Sequence, residues 1–443
     1  MPKLLSTRPA IEKAVAAALA GQPIVDLHTH LYAPAFGTPV ANKSGQTDPA
    51  GLLLYGVDEL ITYHYLIAEV YRVVPATVLP YEMFFKMPKQ AQADHIWKHL
   101  FVERPPLSEA CRGILTSLQL LGLDPGPKKD LTKIRKWFAA QDTSKFIDKV
   151  MELSHVESIT MTNPVFDDNE RQRWLANPEK LRDARFTAVL RIDPMLRNWP
   201  LAAQKLTEWG FNAGDGKTLS AANIAEGQRF LREWIDRQKA IYLALSLPPE
   251  FTYPAPENDP VAKAGQIALE KIILPVCAER GLPFAMMIGS RLRVNPALND
   301  SGDMVGKSDV QAVVRICQAF PRNKFLVTML ARENQHELCV AARKFGNLMI
   351  FGCWWFLNNP SLIEEMTRMR IELLGTSMIP QHSDARVLDQ LLYKWEHSRR
   401  IIGKVLIDKY ADLIATDWPL TDADIRADVA RLFRTNFRDF LAR

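Results

Sequence analysis

Two histidines one residue apart, in the run Ile24-Val25-Asp26-Leu27-His28-Thr29-His30, are the side chains whose type and spacing point most directly to chemistry. The run is apolar enough to be a buried strand, and strand side chains alternate between faces. On that alternation Asp26, His28 and His30 share one face, and Leu27 and Thr29 share the other. Imidazoles one pleat apart at a strand's end can hold a divalent cation. A bare His-x-His also arises by chance in a chain with nine histidines. A third ligand is offered far along the chain, where Gln381-His382-Ser383-Asp384-Ala385-Arg386 follows an apolar run. Two imidazoles and the Asp384 carboxylate would leave one metal position open for water or substrate. The competing reading makes Ser383 or Asp384 a helix N-cap.

Such a site needs a scaffold that brings the two ends of the chain together. Short apolar runs recur at Ile24 to His30, Ser158 to Thr162, Phe186 to Ile192, Ile241 to Leu247, Pro283 to Ile288, Lys324 to Met329, Leu348 to Gly352 and Gly375 to Pro380. Most are near-continuous, as strands buried on both faces should be. Helical stretches alternate with them, for example Val261 to Arg280 and Ser361 to Leu374. Eight strands alternating with helices predict an α/β fold, a (β/α)8 TIM-type barrel. In a closed barrel the first and eighth strands are neighbours, and the strands' C-terminal ends carry the chemistry. More than a hundred residues separate the first two strands. They read as helical, for example Asp58 to Arg72 and Ser108 to Leu121. The expected division is therefore an N-terminal helix and first strand (1–30), a helical insertion over the catalytic face (31–157), and the remaining barrel with C-terminal helices (158–443).

Composition narrows the function classes. The 443 residues carry a net charge of +5, with no Lys/Arg run of the kind that tracks nucleic acid. The five cysteines, Cys111, Cys277, Cys317, Cys339 and Cys353, are scattered and form no CxxC pair. A reduced, cytoplasmic setting suits them better than a disulfide framework. Ala-rich Ile11 to Ala20 mimics a signal peptide, but Glu12 and Lys13 interrupt it and Pro9 and Gly21 punctuate it as an ordinary helix. The longest uncharged stretch, Asn347 to Ile363, contains Gly352, Asn358, Asn359 and Pro360, so no membrane span is expected.

The other strand ends supply further polar groups. Arg191 closes the third run and could grip a carboxylate in bidentate fashion, or pair internally with Asp193. Arg386 carries the same ambiguity with Asp384. Trp354-Trp355 follows the seventh run as barrel-mouth packing or a sugar platform. His64-Tyr65 places an imidazole and a phenol on a helix starting near Asp58. A two-metal hydrolase on this scaffold would want a bridging Lys at the fourth strand's end and histidines at the fifth and sixth. None is present, and His336 lies seven residues past Met329. One metal is expected.

Together these pieces resemble uronate isomerase, a divergent branch of the amidohydrolase superfamily, over essentially the whole chain. The resemblance rests on Val25 to His30, on His64-Tyr65 with Arg72, and on Met161-Thr162-Asn163-Pro164 with Asp167-Asp168. It continues through Arg191, Gly352-Cys353-Trp354-Trp355-Phe356, Ser383-Asp384-Ala385-Arg386 and Arg399-Arg400. The run Pro283 to Gly289 is similar to the shorter bacterial branch. The resemblance implies a cytoplasmic enzyme interconverting D-glucuronate with D-fructuronate and D-galacturonate with D-tagaturonate. It implies one divalent metal ion, usually zinc, on His28, His30 and Asp384, and a substrate site of His64, Tyr65, Arg191, Trp354 and Arg386. The expected partner is a small-molecule uronate, with no nucleic acid and no membrane, in a monomer or a homo-oligomer. The chain departs from the family pattern at Met287, where many members have histidine, and at His382-Ser383-Asp384, where Leu-Thr-Asp is usual.

An aldose–ketose isomerisation through an enediol needs a base at C2 and a group that steadies the developing oxyanion. Tyr65 is the expected base, its phenol lowered by Arg386, with Asp384 as the alternative. His64 would hydrogen-bond a substrate oxygen. Two other readings stay open on sequence alone: a mononuclear metal-dependent hydrolase or decarboxylase on the same scaffold, and a sugar-acid-binding barrel without activity.

Overall fold

The computed structural model describes residues 4–40, 48–214, 216 and 219–443. Seven parallel strands form one sheet in sequence order: Ile24–Thr29, Val156–Pro164, Phe186–Arg191, Leu243–Leu247, Phe284–Ile288, Phe325–Met329 and Leu348–Ile350. Their burial is nearly complete, as apolar runs covered on both faces require. Helices lie between successive strands, so the connections are the crossovers expected of a parallel sheet.

The eighth predicted run closes the ring without forming a regular ladder. On one side Gly352 N–H donates to Ile379 C=O at 2.9 Å and Ile379 N–H to Ile350 C=O at 3.1 Å. On the other, Asp384 N–H donates to His28 C=O at 3.2 Å and His30 N–H to Ala385 C=O at 2.7 Å. Pro380 lies between these bonds and has no N–H to contribute, which accounts for the irregular backbone. The result is a (β/α)8 barrel. Val25, Leu27, Val189, Ala244, Ala285, Met287, Leu326 and Phe351 fill its interior, while Ile24, Ile159 and Leu245 belong to the larger core under the helices.

One strand-face expectation is corrected. The register against the second strand slips between Asp26 and Thr29, which marks a bulge at Leu27–His28. Asp26 therefore does not share a face with the histidines. It faces outward, where Trp395 Nε1–H donates to one carboxylate oxygen at 2.8 Å and Ser383 N–H to the other at 3.1 Å. The bulge re-aims His28 to the barrel mouth beside Phe351.

The helix expected over Asp58 to Arg72 is also broken. Val57–Ile61 stops where the Thr62 hydroxyl donates back to Asp58 C=O, and a second helix runs His64–Val70. His64 and Tyr65 thus occupy a helix's first turn. Asn359 caps helix Pro360–Leu374, and Gly281 in the left-handed conformation ends the long helical stretch that closes at Arg280. The helix expected to begin at Ser383 or Asp384 begins instead at Gln390 and runs to Ile414, so neither residue is an N-cap.

Glu170 ties the loop after the first strand to the end of the second. It is fully buried and accepts from Asn163 Nδ2 at 2.6 Å and Tyr32 Oη at 3.0 Å. Burial pushes its carboxyl up to about 8, more than these neutral donors offset. Unfolding therefore releases a bound proton between about pH 4.5 and 8, and stability falls as pH rises through that window. Glu170→Gln, which cannot ionise, is expected to flatten this fall when denaturation midpoints are compared at the two ends of the window. An unchanged slope would contradict the assignment.

Candidate active site

His28, His30 and Asp384 converge at the mouth of the barrel, with ligand atoms all within 4.8 Å of one another. His28 Nε2 lies 3.5 Å and His30 Nε2 3.3 Å from the same Asp384 Oδ1. The tautomer of His30 follows from its neighbour. Thr162 Oγ1 donates its one proton to Thr29 C=O at 3.0 Å, so it accepts from His30 Nδ1–H at 3.1 Å. The lone pair of His30 is then on Nε2, aimed at a carboxylate oxygen. Two lone pairs facing each other repel unless a cation lies between them. Both nitrogens of His28 and Oδ1 of Asp384 are buried without hydrogen-bond partners among the described residues. Burial brings His30 down to about 3, which keeps it neutral. Burial alone would raise the Asp384 carboxyl, and it lies well below the usual carboxylate range only with positive charge or proton-bearing nitrogen on the His28 and His30 side of it, the place a cation would take. Neutral imidazoles and an ionised carboxylate are the forms that ligate a divalent ion. The donor set fits one metal.

The surroundings hold Asp384 in place. It has a φ of +52°, a left-handed conformation that only a well-determined site maintains in a non-glycine residue. Lys394, buried on the long helix, donates to the preceding Ser383 C=O at 2.5 Å, and burial lowers its ammonium to about 8. His382 packs edge-on against His28 at 5.2 Å, in space that a Cβ on Gly352 would invade at 1.7 Å. The chain's His382 thus depends on Gly352.

A cavity of about 90 Å³ opens over this cluster. Its walls include His64, Arg191, Trp354 and Arg386 from the expected set, together with Met287. A larger cavity of about 310 Å³ adjoins it beside the fourth strand, but its walls are mainly apolar and it contains none of the ligand cluster. Arg197 borders both.

Arg191 takes the second of its readings, the internal pair. Its Nε and Nη2 bind Asp193 at 2.7 and 3.0 Å, and Nη2 also reaches Ser246 Oγ at 3.2 Å. That fork is used, so the free bidentate clamp expected from sequence is not available, and only Nη1 remains for a ligand. Arg386 is not paired with Asp384. Its nearest carboxylate is Asp300, at 3.8 Å.

Tyr65 differs most from expectation. It is not part of the cavity wall. Its ring packs against His64 at 4.5 Å, and its hydroxyl is buried with no hydrogen-bond partner among the described residues. Burial raises its phenol well above 10, and the lowering by Arg386 is the smaller influence. The expected lowered phenol is therefore corrected: Tyr65 is neutral, a donor rather than a ready base. His64 is likewise held neutral, by burial first.

Sequence reasoning missed Arg197 and Asp303 in the cavity wall, and Lys394 behind it. Asp303 belongs to a hairpin after the fifth strand, and a long polar loop at that end of a barrel strand was the available signal.

Fold and site together define a (β/α)8-barrel protein with a His-His-Asp centre at the strands' C-terminal face. No protein-family model matches the chain, and the search of curated proteins returns no match. Among solved structures, a uronate isomerase of Bacillus halodurans is 48% identical, with 99% of this chain and 98% of that chain covered and a TM-score of 0.91. A uronate isomerase of Thermotoga maritima is 15% identical over 99% of this chain and 100% of that one, with a TM-score of 0.74. A glucuronate isomerase of Caulobacter crescentus is 16% identical over 99% and 95%, also at 0.74. The last two share the fold. At the identity and coverage of the first, the chain belongs to the uronate isomerase family.

The Thr162 contact to His30 generates a test. Thr162→Val keeps the shape but removes the acceptor that fixes the tautomer. Metal affinity is expected to fall about 10- to 100-fold, read by competition with a chromophoric chelator. Affinity equal to wild type would remove Thr162 from the site.

Proposed function

We infer that the protein is an aldose–ketose isomerase of hexuronates, interconverting D-glucuronate with D-fructuronate and D-galacturonate with D-tagaturonate. The family relationship carries the reaction class, and the convergence of His28, His30 and Asp384 is the observation that supports a one-metal site for it. The hydrolase or decarboxylase reading gains no support from a full-length relative of this identity.

One divalent ion, zinc by the donor set, would be held by His28, His30 and Asp384 and would supply positive charge for an anionic substrate. The remaining steps belong to the protein's own side chains. Arg191 Nη1 and Arg197, which has no hydrogen bond or ion pair among the described residues, sit in the cavity wall where a substrate carboxylate can be received. Trp354 shields that wall from water. Asp384 is already ionised, and its second oxygen carries no hydrogen bond among the described residues. It takes the proton from C2. Tyr65, neutral and set behind His64 of the cavity wall, is the proposed proton donor: its hydroxyl, without a partner among the described residues, must come through to the C1 oxygen when substrate binds, and giving its proton there yields the enediol. The proton of the C2 hydroxyl then passes to the Tyr65 oxygen, and Asp384 returns its proton to C1. Both groups end as they began, and the product carries its carbonyl at C2. Arg386 steadies the negative charge that builds on these oxygens, and neutral His64 hydrogen-bonds a substrate oxygen. The buried, unpaired thiols support the cytoplasmic reading, and no described helix is long and apolar enough to cross a membrane.

Purified protein is expected to convert D-glucuronate or D-galacturonate to ketose, and to lose that activity on chelation and regain it with zinc. Absence of ketose from metal-replete protein with both sugars would reject the assignment. Tyr65→Phe and Asp384→Asn are each expected to lower kcat by 100-fold or more, on the scale of acid–base contributions of about 10²–10⁴. A Tyr65→Phe enzyme with near-full kcat would remove Tyr65 from the chemistry. Near-full kcat in metal-loaded Asp384→Asn would do the same for Asp384 as the base.

A further inference from the structure

The hairpin that follows the fifth strand contributes a carboxylate to the cavity with no role in the scheme above. Ser290–Arg291 pairs antiparallel with Met304–Val305, and a helical turn, Pro296–Gly302, joins them. The loop is a built structure. Asn295 N–H donates to Gly302 C=O at 3.2 Å, and a Cβ on Gly302 would lie 2.0 Å from the Asn295 oxygen, so only glycine fits. The loop packs against helix His64–Val70. Asp303 is half-buried and lines the cavity. Its Oδ1 accepts from Arg293 N–H at 2.7 Å, and Arg293 takes a φ of +52°. Its Oδ2 has no hydrogen-bond partner among the described residues.

The chemistry of the cavity gives this oxygen a task. A uronate offers one carboxylate and several hydroxyls, and each bound hydroxyl needs somewhere to donate its proton. Arg191, Arg197 and Arg386 can only donate, since guanidinium has no acceptor. Asp384 is taken up by the imidazoles and by the reaction. Among the described residues, Asp303 is the other carboxylate in the wall.

We propose that Asp303 is a substrate-recognition residue whose free carboxylate oxygen accepts a hydrogen bond from a uronate hydroxyl away from the reacting C1 and C2. The proposal rests on the isomerase reading. A contact of this kind is made equally in the bound substrate and in the transition state. It therefore acts on KM and leaves kcat in place. The competing role for Asp303 is a staple that only holds the Arg293 turn.

Two variants separate these roles in steady-state kinetics of the metal-replete, full-length protein on D-glucuronate. Asp303→Asn keeps an oxygen for Arg293 N–H and replaces the free one with an NH2 donor. Asp303→Ala removes both. Both variants are expected to raise KM about 10-fold or more, on the scale of a lost hydrogen bond to a charged group, with kcat within about twofold of wild type. An Asp303→Asn enzyme with wild-type KM overturns the proposal, and if Asp303→Ala alone is impaired the residue is only a staple. A loss in kcat at unchanged KM also overturns it. The wild-type enzyme is measured alongside. Failure of the wild type to form ketose from either D-glucuronate or D-galacturonate rejects the isomerase reading and the proposal with it; a wild type active on only one of them is compared with the variants on that sugar, and an active wild type with unaffected variants rejects the proposal alone.

Discussion

The site depends on the seam where the ring of strands closes. Residues near positions 30 and 380 form one centre because the first strand and the Ser383–Ala385 segment are hydrogen-bonded through His28, His30, Asp384 and Ala385. Asp26 reinforces the seam from outside the barrel. Its carboxylate is fully buried and is satisfied by one N–H from Ser383 and one from Trp395. Hydrogen bonds of this kind contribute about 1 kcal/mol each, and a buried carboxyl left without its partners costs about 1–3 kcal/mol. The first strand, the closing segment and the long helix are thereby locked to one another, and Asp384 is delivered to the histidines.

The bulge at Leu27–His28 is the complementary device. A regular strand would have kept Asp26 and His28 on one face, and one of them would have been misplaced. One slip in register lets Asp26 hold the outside of the seam while His28 serves the inside. The left-handed backbone at Asp384 is a second local departure, and Lys394 on the Ser383 carbonyl steadies it. Strain and irregular pairing are concentrated where the chemistry is, and the remaining strands are regular.

Much of this arrangement was legible in the sequence for a physical reason. Strands covered on both faces are written as unbroken apolar runs, so all eight runs and their order could be read. Barrel closure then implies that the first and last runs are adjacent, which pairs Asp384 with His28 and His30 without any local signal joining them. What could not be read depends on neighbours. The bulge is a property of two strands. The neutral state of Tyr65 comes from burial that only the folded packing creates, while the nearby Arg386 suggested the opposite. Lys394 sits in the second turn of a long helix, where a lysine ordinarily faces water, but the buried surface of this helix extends around it. Asp303 lies in a loop whose strand was recognised but whose path back over the mouth was not.

The central claim is that His28, His30 and Asp384 share one cation at the closing seam. It is tested most directly by diffraction from zinc-loaded crystals on either side of the zinc absorption edge. The account predicts one anomalous peak per chain, bonded to an imidazole nitrogen of each histidine and to the Asp384 carboxylate. A zinc-saturated crystal with no peak there, or with these three side chains turned apart, would contradict it.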